Sequence, residues 1–259
     1  MNSHTEKSFH YDLMNFTVRE MTECGKVLRT IGENAKSMEE VAAKTVTHIY
    51  DSLIDGQTGM RASSLVRFYK THTFRELDSG LQNFALPLLG DNPTPPEMKC
   101  LVLLATAGEE PQWGSRATSK GHRAIPLPSE QAVSQAPMIS NLITQLGLSV
   151  GMVVKPDQKL LLDMEQKTYN VFHVPEALGS PYIPAQKDFV IPYGIKSVLG
   201  FGGLLPAGDM FAVIIFFKVA VSAEVADFFR PLALNVKMAV LPFERAVFTR
   251  SDNIRPIGT

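Results

Sequence analysis

The sequence predicts an α+β fold with a central antiparallel sheet flanked by N- and C-terminal helices. Three observations predict it. Two helical segments stand in series near the start. Two apolar, β-rich runs near the end, Ser197–Leu205 (SVLGFGGLL) and Met210–Val219 (MFAVIIFFKV), are separated by Pro206, Ala207, Gly208 and Asp209, which is turn chemistry. A helix opening at Ser222 follows that hairpin directly. Strands gathered between groups of helices build a sheet with helices segregated to its faces.

The elements follow in order. Residues 1–15 read as a polar, disordered lead-in, and residues 16–245 as one domain. Between Phe16 and Ile31 the apolar residues Phe16, Val18, Met21, Val27, Leu28 and Ile31 form a helical stripe that stops at Gly32. Ser37 followed three residues later by Glu40 is a capping box. Met38, Val41, Ala42, Thr45, Ile49 and Leu53 then recur at helical spacing up to Gly56. Two helices in series suit an antiparallel pair, and a homodimer through the terminal helices is expected from them.

Ala62–Tyr69 (ASSLVRFY) is rich in β-formers and reads as a strand, with the direction of Arg67 left open by the unknown register. Leu77–Leu89 reads as a short helix and Asp91–Glu97 as a proline-rich connector. Lys99–Ala107 (KCLVLLATA) is nearly all apolar, as in a strand buried on both faces. Gly108–Gly121 is a loop carrying the only tryptophan, Trp113. Ala124–Pro128 reads as an edge piece, and Ser129–Leu146 as a helix broken at Pro137. Val150–Val154 reads as a short strand, and Lys159–Glu165 as a helix or a strand. Thr168–Val174 reads as a strand and Leu178–Gln186 as a loop. Ser222 caps the last helix, with Pro231 inside its pattern and Pro242 at its end. Residues 246–259 read as a disordered tail.

Composition excludes several classes. The 259 residues are 45% hydrophobic and 20% charged with a formal net charge of −1, which supplies a full core and no basic stripe for nucleic acid. The longest apolar stretch, Met210–Phe217, is far shorter than the roughly 20 residues of a membrane helix. A cytoplasmic protein with no membrane partner is the expectation. Cys24 and Cys100 are too few for a disulfide framework and read as buried free thiols.

The N-terminal helices, the strands ASSLVRFY and KCLVLLATAG, the hairpin SVLGFGGLLPAGDMFAVIIFFK and the closing helix SAEVADFFRPLALNVKMAV together resemble the GAF family, a relative of the PAS sensor folds. The chain is also similar to the sensory N-terminal segments of some bacterial histidine kinases. The resemblance covers residues 20–245. It implies a regulatory, signal-sensing domain that responds to a small-molecule ligand and passes the signal to a protein partner. The resembled segments normally continue into an output domain, whereas here no kinase signature or helix-turn-helix is read, so a domain without its own output domain is the expectation. It also implies a ligand cavity between the sheet and the loop regions Gly108–Pro128 and Tyr169–Ile191.

The candidate ligand-binding residues are Trp113, His122, Arg123, Tyr169, His173 and Tyr182, since pockets are largely aromatic and apolar with a few convergent polar groups. His122 or His173 is a candidate axial ligand if the cavity holds haem. No two histidines stand at metal-ligand spacing, so no metal site is expected. Gly200-Phe201-Gly202-Gly203 lies within a strand rather than before a helix, which points to tight packing and not to phosphate binding. No G-x-S-x-G nucleophile elbow is present. The chain is therefore expected not to be an enzyme. The alternatives are an interaction or scaffold domain with a filled pocket, and a redox enzyme using Cys100, which needs an accessible thiol of lowered pKa.

Overall fold

The computed structural model describes residues 10–95, 97–156 and 169–249. Helix α1 (Val18–Thr30) begins with a capping box at Thr17: the Glu20 N–H donates to Thr17 Oγ1 (3.3 Å) and the Thr17 N–H donates to the Glu20 carboxylate (2.9 Å). Helix α2 (Met38–Ser52) uses Ser37 as its cap, with the Glu40 N–H donating to Ser37 Oγ at 3.2 Å. The Glu40 carboxylate turns instead to the Lys36 N–H at 2.8 Å.

Residues 11–15, expected in a disordered lead-in, are ordered. Strand β1 (Tyr11–Asp12) pairs in parallel with β2 (Leu53–Ile54) at the end of α2. Tyr11, Leu13 and Phe16 are buried in the core, and Asp12 accepts the Gly56 N–H at 3.1 Å. Burial of those apolar side chains offsets the entropy of ordering the segment.

The main sheet is built from β3 (Ser63–Thr73), β4 (Lys99–Gly108), β5 (Ala124–Leu127), β6 (Val171–Val174), β7 (Ser197–Leu204) and β8 (Met210–Phe217). Its spatial order is β5-β4-β3-β8-β7-β6, and every neighbouring pair is antiparallel. The architecture is thus α+β, with helices flanking a six-stranded antiparallel sheet. The segments around residues 63, 100, 171, 198 and 211 pair into this one sheet, as the sequence predicts. Strand β3 runs four residues beyond Tyr69, because Lys70, Thr71, His72 and Thr73 are all buried despite their polarity.

Both faces of the sheet are covered. Val66, Phe68, Leu199, Phe201, Phe211, Val213 and Ile215 face a core shared with α1, α2 and α8 (Arg230–Val240). Leu65, Tyr69, Leu103, Ala212, Ile214 and Phe216 face a second core closed by short helices. These are α4 (Glu130–Ser134), α5 (Pro137–Gln145) and α6 (Val150–Val154). A third cluster seats α3 (Ser79–Leu89) against Cys100, Val102 and Ala124 near the β5 edge.

Three further segments differ from their sequence reading. Val150–Val154 is helical, because Ser149 accepts the Met152 N–H and nucleates a turn. Periodicity alone does not distinguish strand from helix in so short an apolar run. The closing helix is two helices, α7 (Ala223–Asp227) and α8, with Pro231 in the first turn of α8, where its missing N–H costs nothing. Residues 246–249, expected in the disordered tail, dock on α2: the Met38 and Glu39 N–H groups donate to the carbonyls of Ala246 and Val247 at 2.9 and 2.8 Å. Lys159–Glu165 lies outside the described residues. Among the described residues no helix is long and apolar enough to cross a membrane.

Candidate functional site

Side chains alternate along a strand, so β3 sends Val66 and Phe68 to the helix layer of α1, α2 and α8 and Leu65, Arg67 and Tyr69 to the other face. Above those three residues the second core is incomplete. It leaves a half-enclosed cavity of about 460 Å³, within the size range of small-molecule sites. The floor is Leu65, Arg67, Tyr69, Leu101, Ile214 and Phe216 from the sheet. One wall is Met138, Ile139 and Leu142 of α5, and the other two are Gln112–Trp113 with Ser119–His122 and Ile183–Ala185 with Asp188–Phe189. The two loop walls fall inside the regions that the GAF resemblance assigns to a ligand cavity.

Aromatic packing fixes the loop walls to each other. Trp113 meets Tyr193 at 4.7 Å and Phe189 at 5.6 Å between ring centroids, and Phe189 stands edge-on to Phe216 at 4.9 Å. The Tyr193 hydroxyl donates to Glu110 at 3.2 Å, beside the turn that carries Trp113. His122 takes a left-handed backbone, φ 58°, at the cavity rim. Loss of hydration and the nearby Arg67 charge lower its pKa, which favours the neutral imidazole.

Arg67 is the one cationic side chain in the cavity floor. It is 9% exposed, and it donates through Nη1 to the Tyr69 hydroxyl at 3.2 Å. Its Nε is buried without a partner, and among the described residues no carboxylate reaches it.

The six residues singled out from sequence are dispersed. Trp113 and His122 line the cavity. Arg123 lies just beyond it, half-buried, with its Nε unpartnered. Tyr169 packs over Gly203 on the opposite face. His173 is held by the sheet edge: its N–H donates to the Gln145 side chain at 2.7 Å, and its Nε2 lies 3.0 Å from the Val221 carbonyl. That nitrogen is therefore engaged and not free to bind an iron. Tyr182 is exposed. Arg67, Tyr69 and Phe189 were not among the six. The available signal for Arg67 was a single arginine inside the run LVRFY, and only the register shows which way it points.

The glycines of Gly200–Gly203 serve packing. A Cβ on Gly202 would fall 2.1 Å from the Phe211 carbonyl oxygen, and one on Gly203 would meet the Tyr169 ring at 3.1 Å. Cys100 is fully buried, and burial pushes its thiol up to about 12, as it does for Cys24. Among the described residues no group of three or more His, Cys, Asp or Glu is placed to hold a metal.

No family model matches the sequence, and no curated protein matches it. Solved structures similar to the chain include a free methionine-R-sulfoxide reductase from Neisseria meningitidis in complex with its substrate, at 11% identity and TM-score 0.48, covering 92% of this chain and 98% of that one. They also include the phycocyanobilin-bound GAF domain of a cyanobacterial phytochrome, at 8% identity and TM-score 0.43, covering 87% and 96%. A third is the GAF domain of an Acinetobacter phosphoenolpyruvate-protein phosphotransferase, at 12% identity and TM-score 0.39, covering 89% and 97%. At these identities and TM-scores the similar structures assign neither ligand nor reaction to this chain.

Proposed function

We propose that this protein is a small-molecule-binding regulatory domain whose ligand occupies the cavity between β3, β8, α5 and the two aromatic loop walls. One observation carries the reading: the second core stops short of closing and leaves about 460 Å³ lined by apolar and aromatic side chains around a buried, partly unsatisfied arginine. A pocket that served only packing would be filled, since voids forfeit contacts and destabilise a core. The reading is of a binder and not a catalyst. The thiol that a redox mechanism needs is buried beside α3 with a raised pKa, and among the described residues the cavity brings no nucleophile and base into hydrogen-bond contact.

Trp113, the only tryptophan, reports on occupancy. Titrating the protein with a panel of neutral, anionic and cationic aromatic fragments is expected to shift Trp113 emission saturably for part of the panel. The variant Leu142→Phe, which fills the cavity from α5 without adding a second indole, is expected to abolish those responses while remaining folded by circular dichroism. Emission unmoved by every fragment, or responses that survive the filled cavity, would remove the basis for this reading.

A further inference from the structure

From the unpaired charge in the cavity floor we infer that the ligand is a monoanionic carboxylate with an aromatic or aliphatic body. The inference rests on the binding reading above and adds the chemical class. Arg67 lies in the middle of the sheet, paired across to Thr106 and Ile214, with its guanidinium under the cavity. A buried guanidinium without a counter-ion is costly unless something compensates it. The protein supplies one neutral acceptor, the Tyr69 hydroxyl, and leaves the enclosed Nε–H without a partner. The nearest acid in the lining, Asp188, is exposed at the mouth and makes no ion pair with it.

The missing partner is an anion supplied from outside. Arginine presents a planar fork that matches a carboxylate through two parallel hydrogen bonds. Having accepted from Arg67, the Tyr69 hydroxyl keeps its own proton to donate to the same anion. His122, exposed at the rim, offers one further N–H. Charge count selects a monoanion: Arg67 is the only buried cation of the lining, and the other lysine or arginine, Lys120, is exposed, as is Asp188. A dianionic phosphate monoester would bring an uncompensated charge into an apolar site. The rest of the lining is mainly apolar and aromatic, with Trp113, Leu101, Ile139, Leu142, Phe189 and Phe216 fitting a hydrocarbon or aromatic ring, while the Ser119 hydroxyl is already engaged with the Gly121 carbonyl.

The test uses three probes with a common body, 4-phenylbutyrate, 4-phenylbutan-1-ol and 4-phenylbutyl phosphate, each titrated into the full chain with Trp113 emission as readout. The carboxylate is expected to bind about 10- to 100-fold more tightly than the alcohol, the factor that a charge-assisted hydrogen bond supplies. The phosphate is expected to bind more weakly than the carboxylate. Arg67→Met is expected to remove the preference and leave the alcohol within about twofold of its original affinity. Arg67→Lys keeps the charge without the fork and is expected to fall between. If Arg67→Met does not fold, Tyr69→Phe tests the same cradle and is expected to narrow the preference. Alcohol binding as tight as the carboxylate, or phosphate binding tighter, overturns the charge assignment and leaves the pocket standing. No Trp113 response to any of the three overturns the pocket reading itself.

Discussion

Lys70 and Lys99 both reach the Asp209 carboxylate, at 2.6 and 2.9 Å, and His72 lies beside them under the Phe248 ring at 5.2 Å. Burial alone would raise the Asp209 pKa, but the two ammonium groups outweigh it and hold the carboxylate below its usual range. His72 has no such partner: burial, and then the Lys70 charge, lower its pKa to about 3, and its Nε2 makes no hydrogen bond. Because the unfolded chain protonates His72 near 6.5 and the folded one near 3, protons favour unfolding between those values. Stability from the neutral imidazole is thus full above about pH 6.5 and is lost as pH falls toward 3, on the order of a few kcal/mol. His72→Phe is expected to flatten the dependence of the urea unfolding free energy over that range. An unchanged slope would show that other groups set the acid limit. Gly202→Ala is expected to destabilise by about 3 kcal/mol in thermal melts, since the methyl collides with the Phe211 carbonyl rather than with a side chain that can move. Such residues mark the limit of what was legible. The Gly202 packing role was readable from its place inside a strand, and Trp113 and His122 from their loop. Arg67 and His72 were not readable, because a strand inserted between two covered faces carries no polar side to set the alternation.

The C-terminal segment 246–249 acts as an element although it has no regular structure. Its Ala246 and Val247 carbonyls accept the first two N–H groups of α2, which the helix itself cannot satisfy. Glu39 of the same helix turn accepts from Arg116 at 2.8 Å and from the Thr249 N–H at 3.0 Å, and Arg116 lies over the Phe248 ring at 5.1 Å. The loop that carries Trp113 into the cavity therefore also clamps the tail. Phe248→Ala is expected to increase hydrogen exchange in the first turn of α2 and to raise the His72 pKa toward its ordinary value, read by NMR titration of the imidazole. A variant whose α2 exchange and His72 titration match the wild type would refute the clamp. The β7–β8 turn is a second such element. The sequence marks Pro206–Asp209 as a turn, and the structure adds that Asp209 binds β3 and β4 through their lysines. Asp209→Asn leaves Lys70 buried beside a neutral amide and is expected to cost about 3–5 kcal/mol in chemical denaturation. A loss under about 1 kcal/mol would mean the pair behaves as a surface ion pair.

Across the described residues, one sheet separates two main cores, and strands β3, β4, β7 and β8 contribute to both. Strand β8 shows why the fold was legible while its faces were not. Phe211, Val213, Ile215 and Phe217 serve the α1–α2–α8 side, and Met210, Ala212, Ile214 and Phe216 the cavity side, so the run MFAVIIFF reads as a buried strand with no visible alternation. The same sharing ties the cavity to overall stability. A substrate-sized ligand that binds only the folded state adds RT ln(1 + [L]/Kd), about 2.7 kcal/mol at a hundredfold excess over Kd. If the two cores unfold together, that increment appears equally in the Trp113 signal of the cavity side and in the far-ultraviolet dichroism dominated by α1, α2 and α8. Coincident denaturation curves that shift together with 4-phenylbutyrate are therefore expected. A ligand-induced shift seen by Trp113 alone would instead define the cavity layer of α4–α6 as a separate folding unit, able to open and admit ligand while the helix layer behind the sheet stays intact.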